Sequence, residues 1–386
     1  MRILIVAPYC SIPGESNFNR FFYLGKLLSK SHEVILVTST FNHFVKRHRE
    51  VVSDNQVNQF YCIKFVQEPG YKSNASLERV WSHKIFIENF KDLIGCGLLD
   101  DVDLVYSAYP MIETNIILGK YKKNYKYKLV VDVQDVWPEA FSAVVPLINF
   151  IPRCILPFTS KANTAYRYAD ALIAVSDTYL RRALEANPDA ASCVTYIGAD
   201  QNLIQSISAS SDIDRSCVNF VYIGTLSYSY DVETIIKYFS SGAADKNFRF
   251  HIVGDGPHRN KLESIANENC IFHGVKSYIE MIAILKSCDY AFNPIKSTAR
   301  QSITNKLSDY ISVGLPIINS QECSEVSAIL KNYSSLNYKS GSIRSLANAM
   351  SFVSKAGLQS GSNNDIASKF DRSKTYDELI DFLTRL

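Results

Sequence analysis

The stretch Ala291–Glu325 reads AFNPIKSTARQSITNKLSDYISVGLPIINSQECSE. An apolar run closes on Asn293-Pro294, a polar loop carries Lys296 and Arg300, and a helical pattern opens near Thr304 with Asn305 and Lys306 in its first turn. A second apolar run, PIINS, follows. Strand, helix and strand in that order are one βαβ unit of a parallel sheet. A lysine in the first helical turn opposes the helix dipole, and an anion sharing the place would explain it. Without an anion, the same lysine reads as a side chain that snorkels into solvent.

The pattern repeats on both sides of this stretch. Upstream run NFVYIG, a helix from Val232, FRFHIVG, a helix from Pro257, CIFHG, a helix from Tyr278 and YAFNPI. The first half gives RILIVA, a helix over Phe18–Ser29, EVILVTS, DLVYSAY, YKLVVDV, a helical Tyr166–Ala169 leading into ALIAVS, and VTYIG. Between the two series lies QSISASSDIDRS, whose serine and aspartate content reads as a linker. The expected fold class is α/β, with two Rossmann-like doubly wound parallel-sheet domains facing a cleft. The expected boundaries are 1–200 for the first domain and 201–370 for the second, with a C-terminal helix at 371–386 packing back on the first.

Composition excludes several classes. The 386 residues are 47% hydrophobic and 20% charged, which is globular rather than disordered. A net charge of +3, from 41 basic and 38 acidic residues, is too small for a protein that grips nucleic acid through many phosphates. Nine cysteines without a CxxC pair read as reduced thiols. The seven histidines show no i, i+4 pair, and no GxSxG elbow is present. The N-terminal apolar run is shorter than the core of a signal peptide, and no stretch reaches the length of a membrane-spanning helix.

Two further loops carry backbone N–H groups to a helix start. Ala7–Ser16 follows the first strand, and its single glycine, Gly14, falls short of the three that a dinucleotide fingerprint needs. Val253-Gly254-Asp255-Gly256-Pro257 joins a strand to a helix with proline at a favoured first-turn position. Either loop can dock a phosphate, and either can be a plain turn.

These residues, with Arg20, His32-Glu33-Val34, Asp132-Val-Gln-Asp-Val-Trp-Pro-Glu139, Ala174-Val-Ser176, Ile197-Gly-Ala-Asp200, Gly224-Thr225-Leu226, Gly254–Pro257 and Asn305–Pro316, give the chain a resemblance to retaining glycosyltransferases of the GT-B fold, family 4. The likeness covers nearly the whole chain through the order and spacing of these segments. It implies transfer of a sugar from a nucleotide diphosphate sugar to an acceptor hydroxyl with retained anomeric configuration. The donor would sit on the C-terminal half, touching Gly14, Gly224, Thr225, Gly254, Gly256, Thr304, Asn305 and Asp309. Arg300 and Lys306 would face the diphosphate, where bond breaking builds negative charge. Arg20, Gln134 and Trp137 would meet the acceptor, with Asp135 as the carboxylate that receives its hydroxyl. No cofactor is implied beyond the donor substrate.

The chain departs from the family pattern at several positions. Gln301 and Asp309 stand where two glutamates separated by seven residues are usual, and Gln134 stands where a histidine is common. After Gly224, Tyr228 and Tyr230 occupy the region of the usual arginine and lysine. Asp101-Val-Asp103 and Asp212-Ile-Asp214 spell DxD, but one precedes a strand and the other sits in the linker, so no metal site is expected. Basic stretches at Lys46–Arg49, beside Phe41, Phe44 and Val45, and at Lys120–Lys128 read as contacts to an anionic membrane or as solvated faces; apolar Val144–Phe158 adds to the former.

The resulting expectation is a cytoplasmic transferase, peripheral to the inner face of the plasma membrane. It would use a glycan or polyprenyl-diphosphate-linked acceptor in bacterial capsule, exopolysaccharide or O-antigen synthesis, with no nucleic-acid partner. Gln134 and Gln301 keep open an inactive nucleotide-sugar-binding subunit, and the fold keeps open a nucleotide-sugar epimerase or hydrolase.

Overall fold

The computed structural model describes residues 1–12, 15, 19–50, 56–57, 60–73, 76–139, 156–299, 301–356 and 364–386. Two compact units divide them. The first comprises Met1–Pro138, Arg153–Thr195 and Glu378–Leu386; the second comprises Tyr196–Asp377 with Glu139.

In the first unit, β1 (Arg2–Val6), α1 (Arg20–Leu28), β2 (Glu33–Ser39), a hairpin of β3 (Phe41–Asn42) and β4 (Arg47–His48), β5 (Gln56–Val57), β6 (Cys62–Val66) and α2 (Leu77–Leu93) come first. They are followed by β7 (Leu104–Tyr109), α3 (Ile112–Tyr125), β8 (Lys128–Val133), α4 (Thr159–Tyr168), β9 (Ala171–Ala174), α5 (Asp177–Leu184) and β10 (Ala191–Val194). The sheet order is β10-β9-β8-β7-β1-β2-β6-β5, parallel throughout except for β5. Its central strands are buried along nearly their whole length, as strands covered by helices on both faces must be.

The second unit carries α6 (Gln201–Ser206), β11 (Val218–Ile223), α7 (Val232–Ser240), β12 (Phe248–Val253), α8 (Arg259–Glu263), β13 (Cys270–Gly274) and α9 (Tyr278–Leu285). Then come β14 (Tyr290–Asn293), α10 (Asn305–Val313), β15 (Ile317–Asn319), α11 (Ser324–Leu330), β16 (Ser335–Asn337), α12 (Ile343–Ala356), α13 (Asn364–Lys369) and α14 (Arg372–Thr384), whose last turns belong to the first unit. The six strands run parallel in the order β13-β12-β11-β14-β15-β16. Aromatic rings of Phe220, Phe239, Phe250 and Phe292 fill one side of this sheet, and Leu307, Tyr310, Ile311 and Ile317 fill the other.

Two expectations need correction. VTYIG is not a strand: pairing stops at Val194, and Gly198 turns into the left-handed region at φ 64°. QSISASSDIDRS is not a free linker either. Ile207 and Ile213 are buried in the second core, the Ser210 N–H donates to the Ala283 carbonyl, and Lys286 Nζ donates to the Ile207 carbonyl. Two isolated isoleucines among serines anchor a segment that composition marks as loose.

In each unit the strand order reverses beside the first strand: between β1 and β7, and between β11 and β14. Open α/β sheets bind ligands beyond the carboxyl ends of strands at such switch points.

Candidate donor and acceptor sites

At the second unit's switch point, β11 ends in Gly224 and β14 ends in Asn293-Pro294. The two following loops are stitched together: the Asp231 N–H donates to the Pro294 carbonyl at 2.7 Å, and the Lys296 N–H donates to the Ser229 carbonyl at 3.0 Å. The β12 loop closes from the other side. The Gly224 N–H reaches the Val253 carbonyl, the Leu226 N–H reaches that of Asp255, and the His258 N–H returns to that of Leu226. The backbones meet so closely that side chains are excluded. A Cβ on Gly254, where φ is 131°, would lie 2.1 Å from the Gly224 oxygen; one on Gly256 would lie 2.4 Å from the Leu226 oxygen. These glycines allow close approach of two loops.

Helix α10 begins in the same place. Thr304 is extended at its N-cap, yet its side chain caps nothing, and its buried Oγ1 has no hydrogen-bond partner. The first N–H groups of a helix have no acceptor within it. Asn305 is exposed and Lys306 is buried, at 9% of its free surface. The Lys306 chain crosses to β11, where a Cβ on Gly224 would lie 2.2 Å from its Cε. Its Nζ stands 3.4 Å from the Tyr230 ring centroid and 5.5 Å from that of Tyr222. Among the described residues no carboxylate lies within ion-pair distance of it. Burial therefore lowers its pKa from 10.5 to about 7. Lys306 does not snorkel into solvent; it is a buried cation that two aromatic faces hold beside an uncapped helix start.

Tyr230 belongs to the stretch that departs from the family pattern. It supplies a π-face that steadies Lys306, and its hydroxyl meets the Gln301 side chain. The loop before α10 is braced by buried amides: Asn293 Nδ2 donates to Asn319 Oδ1 and Gln321 Oε1, and Gln321 Nε2 donates to the carbonyls of Gln301 and Ser302. Sequence spacing gave no sign of this bracing.

Asp309 departs from its expected place at the nucleotide. It turns into the core, accepts a hydrogen bond from the Tyr278 hydroxyl at 3.0 Å, and burial raises its pKa from 3.8 to about 7. A raised carboxyl pKa contributes stability at low pH that is lost as pH rises through about 7. Asp309→Asn keeps an acceptor for Tyr278 and removes the buried charge. Its melting temperature should exceed that of the wild type at pH 8 by an amount worth about 2 kcal/mol or more, and the gain should vanish near pH 4. Thermal denaturation at the two pH values checks this.

Thr225 is exposed, and its carbonyl accepts from the Tyr222 hydroxyl at 2.8 Å. Gly14 and Arg300 lie outside the described residues.

On the first unit, Arg20 is corrected from an acceptor contact to a core residue. Its Nε stands 2.9 Å from Asp132 Oδ2, its Nη1 donates to the Thr195 carbonyl, and both charged side chains are almost wholly buried. Burying one charge requires its partner beside it. Asp132 also accepts from the Tyr106 hydroxyl at 2.8 Å and from Gln134 Nε2 at 3.5 Å. Asp135 is partly exposed beyond the end of β8, with its Oδ1 accepting from the Val136 N–H at 2.8 Å. Trp137 precedes a cis peptide to Pro138 and faces the Arg79 guanidinium at 5.9 Å.

The DxD aspartates have local partners. Asp103 accepts from the Arg2 N–H, and Asp214 accepts from the Ser216 N–H. Among the described residues no group of three His, Cys, Asp or Glu side chains could hold a metal ion, and no helix is long and apolar enough to cross a membrane.

Of the basic stretches, Phe41 is buried, and Arg49 is tied to Glu15 and the Cys10 carbonyl. Lys122 pairs with Asp170, whereas Phe44 and Val45 are exposed. Most of Val144–Phe158 lies outside the described residues.

Residues 217–355 match the sequence model of the family Glycosyl transferases group 1. No curated protein sequence matches the chain. Solved structures similar to it include sucrose-phosphate synthase from Thermosynechococcus elongatus (TM-score 0.73, 14% identity, 100% of this chain and 98% of that one). HepE of Anabaena in complex with UDP-glucose is similar over all of both chains (TM-score 0.67, 16% identity). So is the trehalose-phosphate synthase of Burkholderia xenovorans in complex with glucose-6-phosphate (TM-score 0.69, 11% identity). The fold is therefore GT-B, and residues 217–355 of the second unit are similar to the group 1 glycosyl transferases.

Proposed function

We propose that the protein is a retaining, metal-independent glycosyltransferase whose second unit binds a nucleotide diphosphate sugar and whose first unit receives a glycan or lipid-linked acceptor. The observation that carries this is Lys306. A buried cation, its pKa pushed down by desolvation, beside an uncapped helix start is unfavourable alone and becomes favourable when a diphosphate shares the site. That HepE and a trehalose-phosphate synthase are recorded with UDP-glucose and glucose-6-phosphate supports a nucleotide-sugar donor and a sugar acceptor.

In this reading the glycosidic bond to the β-phosphate breaks as the acceptor oxygen bonds to the anomeric carbon on the same face. Charge gathers on the departing diphosphate, and Lys306 with the α10 N–H groups meets it there. Gly224, Gly254 and Gly256 keep the backbone low enough for the phosphates to approach. Asp135 takes a hydrogen bond from the acceptor hydroxyl, whose proton passes to an oxygen of the departing diphosphate. A role in bacterial surface-polysaccharide synthesis at the inner face of the membrane rests on the resemblance and on the exposed Phe44 and Val45.

Thermal shift tests the donor half. Nucleotide diphosphate sugars should raise the melting temperature in proportion to RT ln(1 + [L]/Kd), and the matching nucleoside monophosphates should do so far less. Equal shifts for both, or none for any base, would contradict the proposal. Slow hydrolysis of the stabilising donor separates a transferase from an inactive subunit, the reading that Gln301 favours because an amide cannot act as an anion.

A further inference from the structure

The seven histidines are scattered in sequence, yet the fold gathers two of them with two cations at the switch point of the first unit. Tyr9 follows β1, and its hydroxyl lies 2.9 Å from His83 Nε2 and 3.3 Å from Met111 Sδ, beyond the end of β7. Arg79 stands one helical turn before His83 on α2, and its Nη2 donates to the same hydroxyl at 3.4 Å. From the hairpin side, Lys46 Nζ lies 3.4 Å from His43 Nδ1, which also meets the Tyr71 hydroxyl. Both cations face the Tyr71 ring, Lys46 at 4.6 Å and Arg79 at 5.6 Å from its centroid. The Tyr9 ring packs on His43 at 4.5 Å.

The nearby carboxylate, Glu68, is buried and accepts from the hydroxyls of Ser39 and Ser82. It offsets part of the positive charge. Burial and the two cations keep both imidazoles neutral, with pKa values of about 3 for His43 and about 4 for His83. Two like charges drawn to one aromatic ring, with neutral imidazoles and two phenols between them, form a donor-rich cluster. A phosphate matches it: its oxygens accept from guanidinium, ammonium, imidazole and hydroxyl together.

We propose that Lys46, Arg79, His43, His83, Tyr9 and Tyr71 form an anion site that takes the phosphate group of a phosphorylated ligand. This deepens the acceptor side of the function proposed above and rests on it for the ligand's role as acceptor. The phosphate can come from a soluble sugar phosphate or from a lipid. Exposed Phe44 (52%), Val45 (57%), Leu77 (87%), Val80 (67%) and Trp81 (56%) flank the two cations in sequence, so both sources are tested.

The experiment uses the full chain without donor. Glucose-6-phosphate is titrated by calorimetry, and flotation is measured with phosphatidylcholine vesicles with and without phosphatidic acid. Binding of either phosphate ester supports the site and identifies its source. Arg79→Gln and Lys46→Gln should each weaken that binding by about tenfold or more. Both variants should keep the cooperative thermal melt of the wild type without ligand, which shows that the chain is folded. In the wild type, the imidazole NMR signals of His43 and His83 should move on adding the phosphate ester. No binding of either ester, binding unchanged in both variants, or unmoved His43 and His83 signals at saturation would overturn the site. None of these results depends on donor binding, so the two proposals fail separately.

Discussion

Replacing Lys306 by methionine is expected to yield a protein that is more stable without ligand and far less stabilised by a nucleotide diphosphate sugar. The two effects have one cause. The folded lysine titrates at about 7, against 10.5 for its ordinary value, so the unfolded chain holds the proton more tightly between those values. Folding must therefore release or desolvate that proton, and stability rises with pH across the window. Methionine fills similar volume without the charge, which should contribute about 2–4 kcal/mol at pH 7 after allowance for the lost contact with the Tyr230 ring. Removing one charged contact from a diphosphate should weaken donor binding by about 10- to 100-fold. A core lysine with no ligand role would give the first effect alone. Paired thermal melts with and without donor distinguish the two cases.

The second large effect is expected at Gly254. An alanine there would place its Cβ 2.1 Å from the Gly224 oxygen in a backbone held at φ 131°. Neither loop can yield cheaply, because the Gly224 N–H is bonded to the Val253 carbonyl and the Gly254 N–H to that of Gly274. Strain and clash together should cost about 3 kcal/mol or more, a fall of roughly 6–12 °C in melting temperature. Gly242 is the control. It is also left-handed, at φ 73°, but a Cβ there meets nothing within 4 Å, so Gly242→Ala should cost only about 1 kcal/mol. Similar losses at the two positions would mean that backbone conformation, and not the contact between the loops, is what the glycine serves.

The strand rhythm of both units was legible because parallel strands buried on both faces leave continuous apolar runs, as RILIVA and FRFHIVG show. The place of Lys306 in a first helical turn was legible too, since the polar loop after Asn293-Pro294 ends where the helical pattern opens at Thr304. What the side chain touches was not. Tyr230 lies far from Lys306 in sequence, and only the reversal of strand order between β11 and β14 brings the two together. The resemblance put Arg20 at the acceptor, and nothing nearby in sequence shows that Asp132, more than a hundred residues on, is its buried partner. Asp309 retained a carboxylate at a family position, but Tyr278 on the neighbouring helix draws it inward. The histidines of the first unit show the same limit: Tyr9, His43, Tyr71, Arg79 and His83 come from separate segments, and no spacing rule joins them.

The central claim is that a diphosphate meets Lys306, and proton uptake on binding measures it most directly. In a nucleotide diphosphate sugar both phosphoryl groups are already esterified and take up no proton near pH 8, so any uptake belongs to the protein. Calorimetry of donor binding at pH 8, in two buffers of different ionisation enthalpy, should show close to one proton taken up by the wild type, because the bound anion restores the charge that burial removed. The Lys306→Met protein, at concentrations that still give binding, should take up almost none. Donor binding without proton uptake in the wild type, or equal uptake in both proteins, would contradict the account.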